Sequence, residues 1–213
     1  QNITGLQFDA NNPTSVINSP AAGSWQSTNF AVSVTDADTG GSGLASCFYT
    51  VESWNGSTWV TTQSLTVRAC SVPFMVTVGA LANCRNEGAN RCRVTTRATD
   101  VAGNTSAVED GKNRLTYSID YSAPTPNPPT LNPSGQTQTS ITWTLSTGSD
   151  SGIGLHSQPY GFRRTTIEPW TWQATPTWTG DTGLTCGTSY TRYGAIRDAL
   201  GNQTTQAQAT TST

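Results

Sequence analysis

Short alternating runs of apolar residues recur along the whole chain, and no stretch carries the spacing of an amphipathic helix. Phe30, Val32 and Val34 share one face of an extended segment, and Tyr49 and Val51 share a face of the next. Leu65 and Val67 follow, then Phe74 to Val78. Cys92, Val94, Thr96 and Ala98 form one face with Arg91, Arg93 and Arg97 opposite. Leu115, Tyr117 and Ile119 close the set. Side chains alternate sides in a strand, so each run buries one face and wets the other. Gly, Asn, Asp and Pro separate the runs, and Asn55-Gly56-Ser57 is a hairpin turn signal. About seven strands in about 120 residues predict a β-sandwich.

Ser122 to Pro129 holds four prolines and reads as a stiff, extended linker. The alternation then restarts with Ile141, Trp143 and Leu145, continues through Tyr160 and Phe162, and reaches Trp170, Trp172 and a strand from Tyr190 to Arg197. The expected organisation is a sandwich over 1–122, a Pro-rich linker over 123–133 and a smaller sandwich over 134–213. For 213 residues, two small domains fit ordinary domain sizes.

Composition excludes several functions. Charged residues make up 11% of the chain, against about 25% in an average soluble protein. Ser and Thr stand in their place. One lysine and a net charge of −2 leave no basic patch for nucleic acid. No apolar run is long enough to span a membrane. No basic n-region with an apolar h-region opens the chain, so Gln1 reads as a mature N-terminus or the edge of a longer polypeptide. The single histidine, His156, leaves little room for histidine-based catalysis.

Four cysteines, Cys47, Cys70, Cys84 and Cys92, lie in the first half, and Cys186 stands alone in the second. Without a C-x-x-C pair, zinc ribbons and thioredoxin-like sites are disfavoured. Two structural disulfides in an oxidising, extracellular setting fit better. Four buried free thiols are the alternative.

The halves share two signatures in the same order. Asp36 and Asp38 precede Ser42-Gly43-Leu44, and Asp150 precedes Ser151-Gly152-Ile153. Asp100-Val101-Ala102-Gly103-Asn104 matches Asp198-Ala199-Leu200-Gly201-Asn202. Gly43 to Asp100 is 57 residues and Gly152 to Asp198 is 46, as expected for one fold with unequal hairpins.

These signatures resemble the Ig-like and fibronectin type III-like repeats of large bacterial surface proteins: adhesins, surface layers and filaments. Ile119-Asp120-Tyr121-Ser122-Ala123-Pro124 resembles the junction that joins such repeats. Tyr190 and Trp143 resemble the late-strand tyrosine and early-strand tryptophan of fibronectin type III domains, although Arg192 falls on the face expected to be inward. The resemblance implies an all-β fold of two tandem sandwiches and says little about activity. On the arrangement it implies, the chain leaves Cys47, turns at Asn55-Gly56 and brings Cys70 back beside it. Cys92 is then about 25 Å from that end at 3.3 Å per residue. Disulfide Cα atoms lie within about 7 Å, so Cys47–Cys70 with Cys84–Cys92 is the expected pairing.

Three constellations remain. Asp36, Asp38 and Asp100 are expected at one end of the first sandwich, where they would offer a weak calcium site. The simpler and preferred reading is that each carboxylate hydrogen-bonds its own turn, with no cofactor. The Asp36/Asp100 pair as a glycosidase dyad is disfavoured, because it lacks an apolar pocket to raise one pKa. Trp170 and Trp172 face one side and are a candidate sugar-stacking platform, with a large-residue core as the preferred alternative. Four N-x-[ST] sequons begin at Asn2, Asn55, Asn104 and Asn202, a number expected by chance in so Ser/Thr-rich a chain.

The expected function is therefore non-enzymatic: a structural module of an extracellular filament, surface layer or adhesin stalk that contacts copies of itself or neighbouring repeats. A neutral surface suits such crowding. Ile3, Leu6 and Phe8 in the extended opening segment, and Cys186, are the expected intersubunit contacts. A carbohydrate-binding accessory module of a secreted enzyme is the alternative.

Overall fold

A computed structural model describes residues 8–213. The chain divides into two compact units at Tyr121/Ser122. Among the described residues every regular element is a strand.

In the first unit β1 (Thr14–Ser19), β3 (Phe30–Ala37) and β6 (Phe74–Val76) form one sheet in the order β1-β3-β6. The facing sheet has the order β2-β8-β7-β4-β5. Its members are β2 (Trp25–Gln26), β4 (Leu44–Trp54), β5 (Trp59–Arg68), β7 (Gly88–Asp100) and β8 (Arg114–Ile119). All pairings are antiparallel except β2 with β8. β2 is two residues long and has no periodicity to betray it in sequence. The inward positions fall where the alternation puts them: Val32, Val51, Val76, Val94, Tyr117 and Ile119 are all fully buried. Each such side chain contributes about 1.5–3 kcal/mol of burial. The β4–β5 hairpin closes as expected. Asn55 Oδ1 accepts hydrogen bonds from the Ser57 and Thr58 amides at 3.0 and 2.9 Å, and Gly56 supplies the φ of +104° that a side chain resists.

The second unit repeats the plan. β9 (Leu131–Gln136), β10 (Ser140–Leu145) and β13 (Thr177–Thr182) form a sheet in the order β13-β10-β9. β11 (Leu155–Arg163), β12 (Thr171–Gln173), β14 (Ser189–Asp198) and β15 (Ala207–Ser212) form the other, in the order β12-β11-β14-β15. Trp143 is fully buried at the centre, with Ile141, Leu145, Phe162 and Ile196 around it. Leu145 fills the space left by Gly194: a Cβ there would lie 2.6 Å from its side chain.

The Pro-rich segment expected as a linker over 123–133 is built into the second unit. Thr125 exchanges two backbone hydrogen bonds with Ser149, both at 2.8 Å. Asn127 Oδ1 accepts from the Thr205 amide at 2.8 Å, and Leu131 already starts β9. Proline lacks an amide donor, so Pro133 is tolerated in β9 as an edge strand.

Candidate functional site

Of the three acids expected at one end of the first unit, Asp38 and Asp100 meet and Asp36 does not. Asp36 leaves the group. It continues the inward phase of Phe30, Val32 and Val34, so it enters the end of the core and needs a counter-charge there. Arg68 supplies it: Nη1 and Nη2 each lie 2.7 Å from a different Asp36 oxygen, with side chains 4% and 0% exposed. Ser15 Oγ and the Ser71 amide also donate to the carboxylate, each at 2.7 Å. Burial pushes the Asp36 carboxyl up, but the hydrogen bonds from Arg68, Ser15 and Ser71 outweigh it and hold the group below its ordinary value.

Asp9 takes the place of Asp36 beside Asp38 and Asp100, the three carboxylates each bringing one oxygen within 4.8 Å of the others. All six carboxylate oxygens accept N–H donors. Asp38 serves the amides of Gly40 and Gly43 at 3.0 and 2.8 Å. Asp100 serves the amide and the side-chain Nδ2 of Asn104, both at 2.8 Å. Asp9 serves the amides of Asn11 and Ser42 at 2.9 and 3.1 Å. Its carboxyl is held below the ordinary value by the neighbouring Ser42 hydroxyl and by the hydrogen bond from the Asn11 amide. No sequence signal ties Asp9 to loops some 30 and 90 residues on.

The same turn stands in both units. Asn202 donates its amide and Nδ2 to Asp198 at 2.8 and 2.6 Å, as Asn104 does to Asp100. The Val101 amide donates to Gly43 O at 2.9 Å, and the Ala199 amide to Gly154 O at 3.0 Å. Gly154 rather than Gly152 is therefore the counterpart of Gly43. Asp150 Oδ2 accepts from the Gly154 amide, as Asp38 Oδ2 does from Gly43. This carboxylate chemistry is turn building, repeated once per unit.

Cys47 bonds Cys70 and Cys84 bonds Cys92, each with Cα atoms 5.1 Å apart. The second disulfide has a counterpart of different chemistry. Tyr190, eight residues before Asp198 as Cys92 is before Asp100, accepts a hydrogen bond at its hydroxyl from the Thr185 amide at 2.9 Å. One unit ties the start of its late strand back with a tyrosine corner, the other with a covalent bridge.

Arg192 does face inward. It is 3% exposed and forms a two-pronged ion pair with buried Asp181, whose Oδ2 also accepts from Trp143 Nε1 at 2.7 Å. Burial and the like charge of Arg164 lower the Arg192 pKa to about 10, against the pull of Glu168, so it stays charged at neutral pH. Trp170 and Trp172 lie outside the core, which corrects the expectation that they build it. Their centroids are 5.8 Å apart on the outer side of β11, where Trp172 covers Gly161. The guanidinium of Arg163 sits 4.1 Å from the Trp170 ring centre and that of Arg197 4.2 Å from Trp172. One face of each indole is thus occupied by a cation, which leaves less of a platform for a sugar ring.

A second surface was only half legible in sequence. The outward residues of β4, β5, β7 and β8 line a groove of about 340 Å³: Thr50, Glu52, Thr61, Leu65, Thr95, Arg97 and Arg114. Glu52 holds Arg93 by two bonds of 2.7 and 2.8 Å, and Arg93 stacks 4.3 Å over Trp59. The alternation of Arg93 and Arg97 against the core face marked this side, but the residues opposite them on β4 and β5 depend on register.

Phe8 is 90% exposed and Cys186 is an exposed free thiol, while Ile3 and Leu6 lie outside the described residues. His156 Nδ1 accepts from the Gln158 amide at 2.9 Å and has no carboxylate partner among the described residues.

Each unit sets a three-stranded sheet against a sheet in which the two central partners are the third and late strands, so both are Ig-like/fibronectin type III-like sandwiches. No protein-family model matches the chain, and no curated protein matches it. Among solved structures it is similar to the fibronectin(III)-like modules of Clostridium thermocellum CbhA, at 14% identity over 92% of each chain with a TM-score of 0.41. It is also similar to the chicken CNTN1 FN1-FN3 domains, at 8% identity over 93% of this chain and 65% of that one, with a TM-score of 0.43.

Proposed function

We propose that this chain is a non-catalytic structural module of an extracellular assembly, making contacts with copies of itself or with neighbouring repeats. The observation that carries the reading is β5. It ends the larger sheet of the first unit, has no charged residue before Arg68, and leaves Leu65 and Val67 58% and 69% exposed. Edge strands with apolar outer faces pair with other chains unless charge or proline blocks them. The acidic clusters, by contrast, are engaged in turns and ion pairs, and two disulfides suit an extracellular setting. The opening segment with Phe8, and the exposed Cys186, are further contact candidates in this reading.

Light scattering across a concentration series and electron microscopy of the full chain test it. Oligomers or filaments that Leu65→Lys/Val67→Lys dissolves, with the fold intact, support the proposal; a monomer at every concentration overturns it. A carbohydrate-binding accessory module remains the second reading. The groove over Thr50, Glu52, Arg97 and Arg114 favours it more than Trp170 and Trp172 do, and binding on a glycan array lost in Arg97→Ala would establish it.

A further inference from the structure

The four sequons match one motif, and the three among the described residues differ in structure. Asn104 Nδ2 donates to Asp100 Oδ2 and to Asp9 O, at 2.8 and 2.9 Å, and holds the turn after β7. Asn202 Nδ2 donates to Asp198 Oδ2 at 2.6 Å and holds the equivalent turn after β14. A glycan on either nitrogen replaces one of its two hydrogens with a pyranose ring beside a carboxylate that is nine-tenths or more buried. Asn104 already uses both hydrogens, so its turn would have to give up one bond, and at Asn202 the ring would crowd the buried Asp198. Asn2 lies outside the described residues.

Asn55 differs on each count. It sits at the tip of the β4–β5 hairpin, where Asn55, Gly56, Ser57 and Thr58 are all exposed. Its Oδ1 takes the whole structural load, accepting from the Ser57 amide, Ser57 Oγ and the Thr58 amide at 3.0, 3.0 and 2.9 Å. Its Nδ2 donates to no described group. Three donors on one oxygen fix the amide plane through the oxygen, so the turn does not use the nitrogen. The hydroxyl of the third sequon residue lies within hydrogen-bonding distance of the acceptor amide. Trp54 and Trp59, packed edge to face at 5.5 Å, flank the turn and are only half-buried, so they offer apolar ring surface beside the first sugar.

We propose that Asn55 is an N-glycan acceptor, and that Asn104 and Asn202 are structural residues whose sequons are incidental. The donor is an oligosaccharide linked through a pyrophosphate to a polyprenyl lipid. The bond between the sugar C1 and the phosphate oxygen breaks, a bond from C1 to Asn55 Nδ2 forms, the amide releases one proton, and the lipid pyrophosphate leaves. The inference rests on the extracellular reading of the chain, because such transfer follows export.

The test secretes the full chain from an insect-cell host, which exports and glycosylates it whatever its native address. Folded, disulfide-bonded protein is digested with peptide N-glycosidase in ¹⁸O-water and mapped by mass spectrometry. The expected result is isotope-labelled Asp at position 55 only when the enzyme is added, absent from Ser57→Ala, with positions 104 and 202 unlabelled. An unlabelled position 55 overturns the proposal, as does a folded fraction labelled at 104 or 202. Ser57→Ala, which keeps both amide donors to Asn55 Oδ1, should fold and melt near the unmodified chain, whereas Asn104→Gln should melt lower.

Discussion

Asp36→Asn should destabilise the first unit by about 3–5 kcal/mol, the usual cost of stranding one half of a buried ion pair. The pair is inaccessible to water, with Arg68 and Asp36 side chains 4% and 0% exposed. An asparagine keeps the shape but offers one acceptor where two guanidinium nitrogens now donate, and turns an amide N–H toward the other donor. Replacing both partners tests the cause. Asp36→Val/Arg68→Met removes the stranded charge and should cost less than Asp36→Val or Arg68→Met alone. Urea denaturation with disulfides intact gives the energies, and hydrogen exchange assigns them to residues of the first unit. The pH dependence has a fixed sign. The folded Asp36 pKa lies below its unfolded value of about 3.9. Its contribution is therefore fully present above the unfolded value and is lost as pH falls through the folded one. Asp36→Asn should flatten that part of the acid profile. A cost under about 1 kcal/mol, as for an exposed pair, or single and double variants that simply add, would refute the reasoning.

Asp100→Ala and Asp198→Ala should each cost about 1–3 kcal/mol by freeing turn donors, and melting curves should show the same loss with and without calcium; a large calcium-dependent stabilisation abolished by Asp100→Ala would reverse this. Tyr190→Phe should cost about 1 kcal/mol in denaturant unfolding, while Cys84→Ala/Cys92→Ala should cost about 2–3 kcal/mol at the matching corner. Gly161→Ala places a Cβ 2.7 Å from the Trp172 ring, so it should cost about 1–3 kcal/mol and change the tryptophan emission as the indole moves off Arg197.

Much of this protein is written locally. Alternation with period two marked both sandwiches, the Arg-bearing outer face of β7 and the inward face of β3. That last phase, carried two residues beyond Val34, already put Asp36 inside, although the cluster of acids around it suggested a loop ligand. The D-x-x-G-N signatures marked the repeated turn because its hydrogen bonds run between residues four apart. What the sequence could not decide are pairings between distant residues of unrelated pattern. Asp9 meets Asp38 and Asp100, Asp181 meets Arg192, Glu52 meets Arg93, and Arg163 and Arg197 cover two tryptophans. Each depends on strand register and on which chain segments a sandwich brings side by side, and one residue of slip moves every side chain to the other face. The sequons straddle this division: the local D-x-x-G-N turn already engages the amide nitrogen at Asn104 and Asn202, no described group takes it at Asn55, and only the bond from Asn104 to Asp9 O had to wait for the tertiary structure to bring the two segments together.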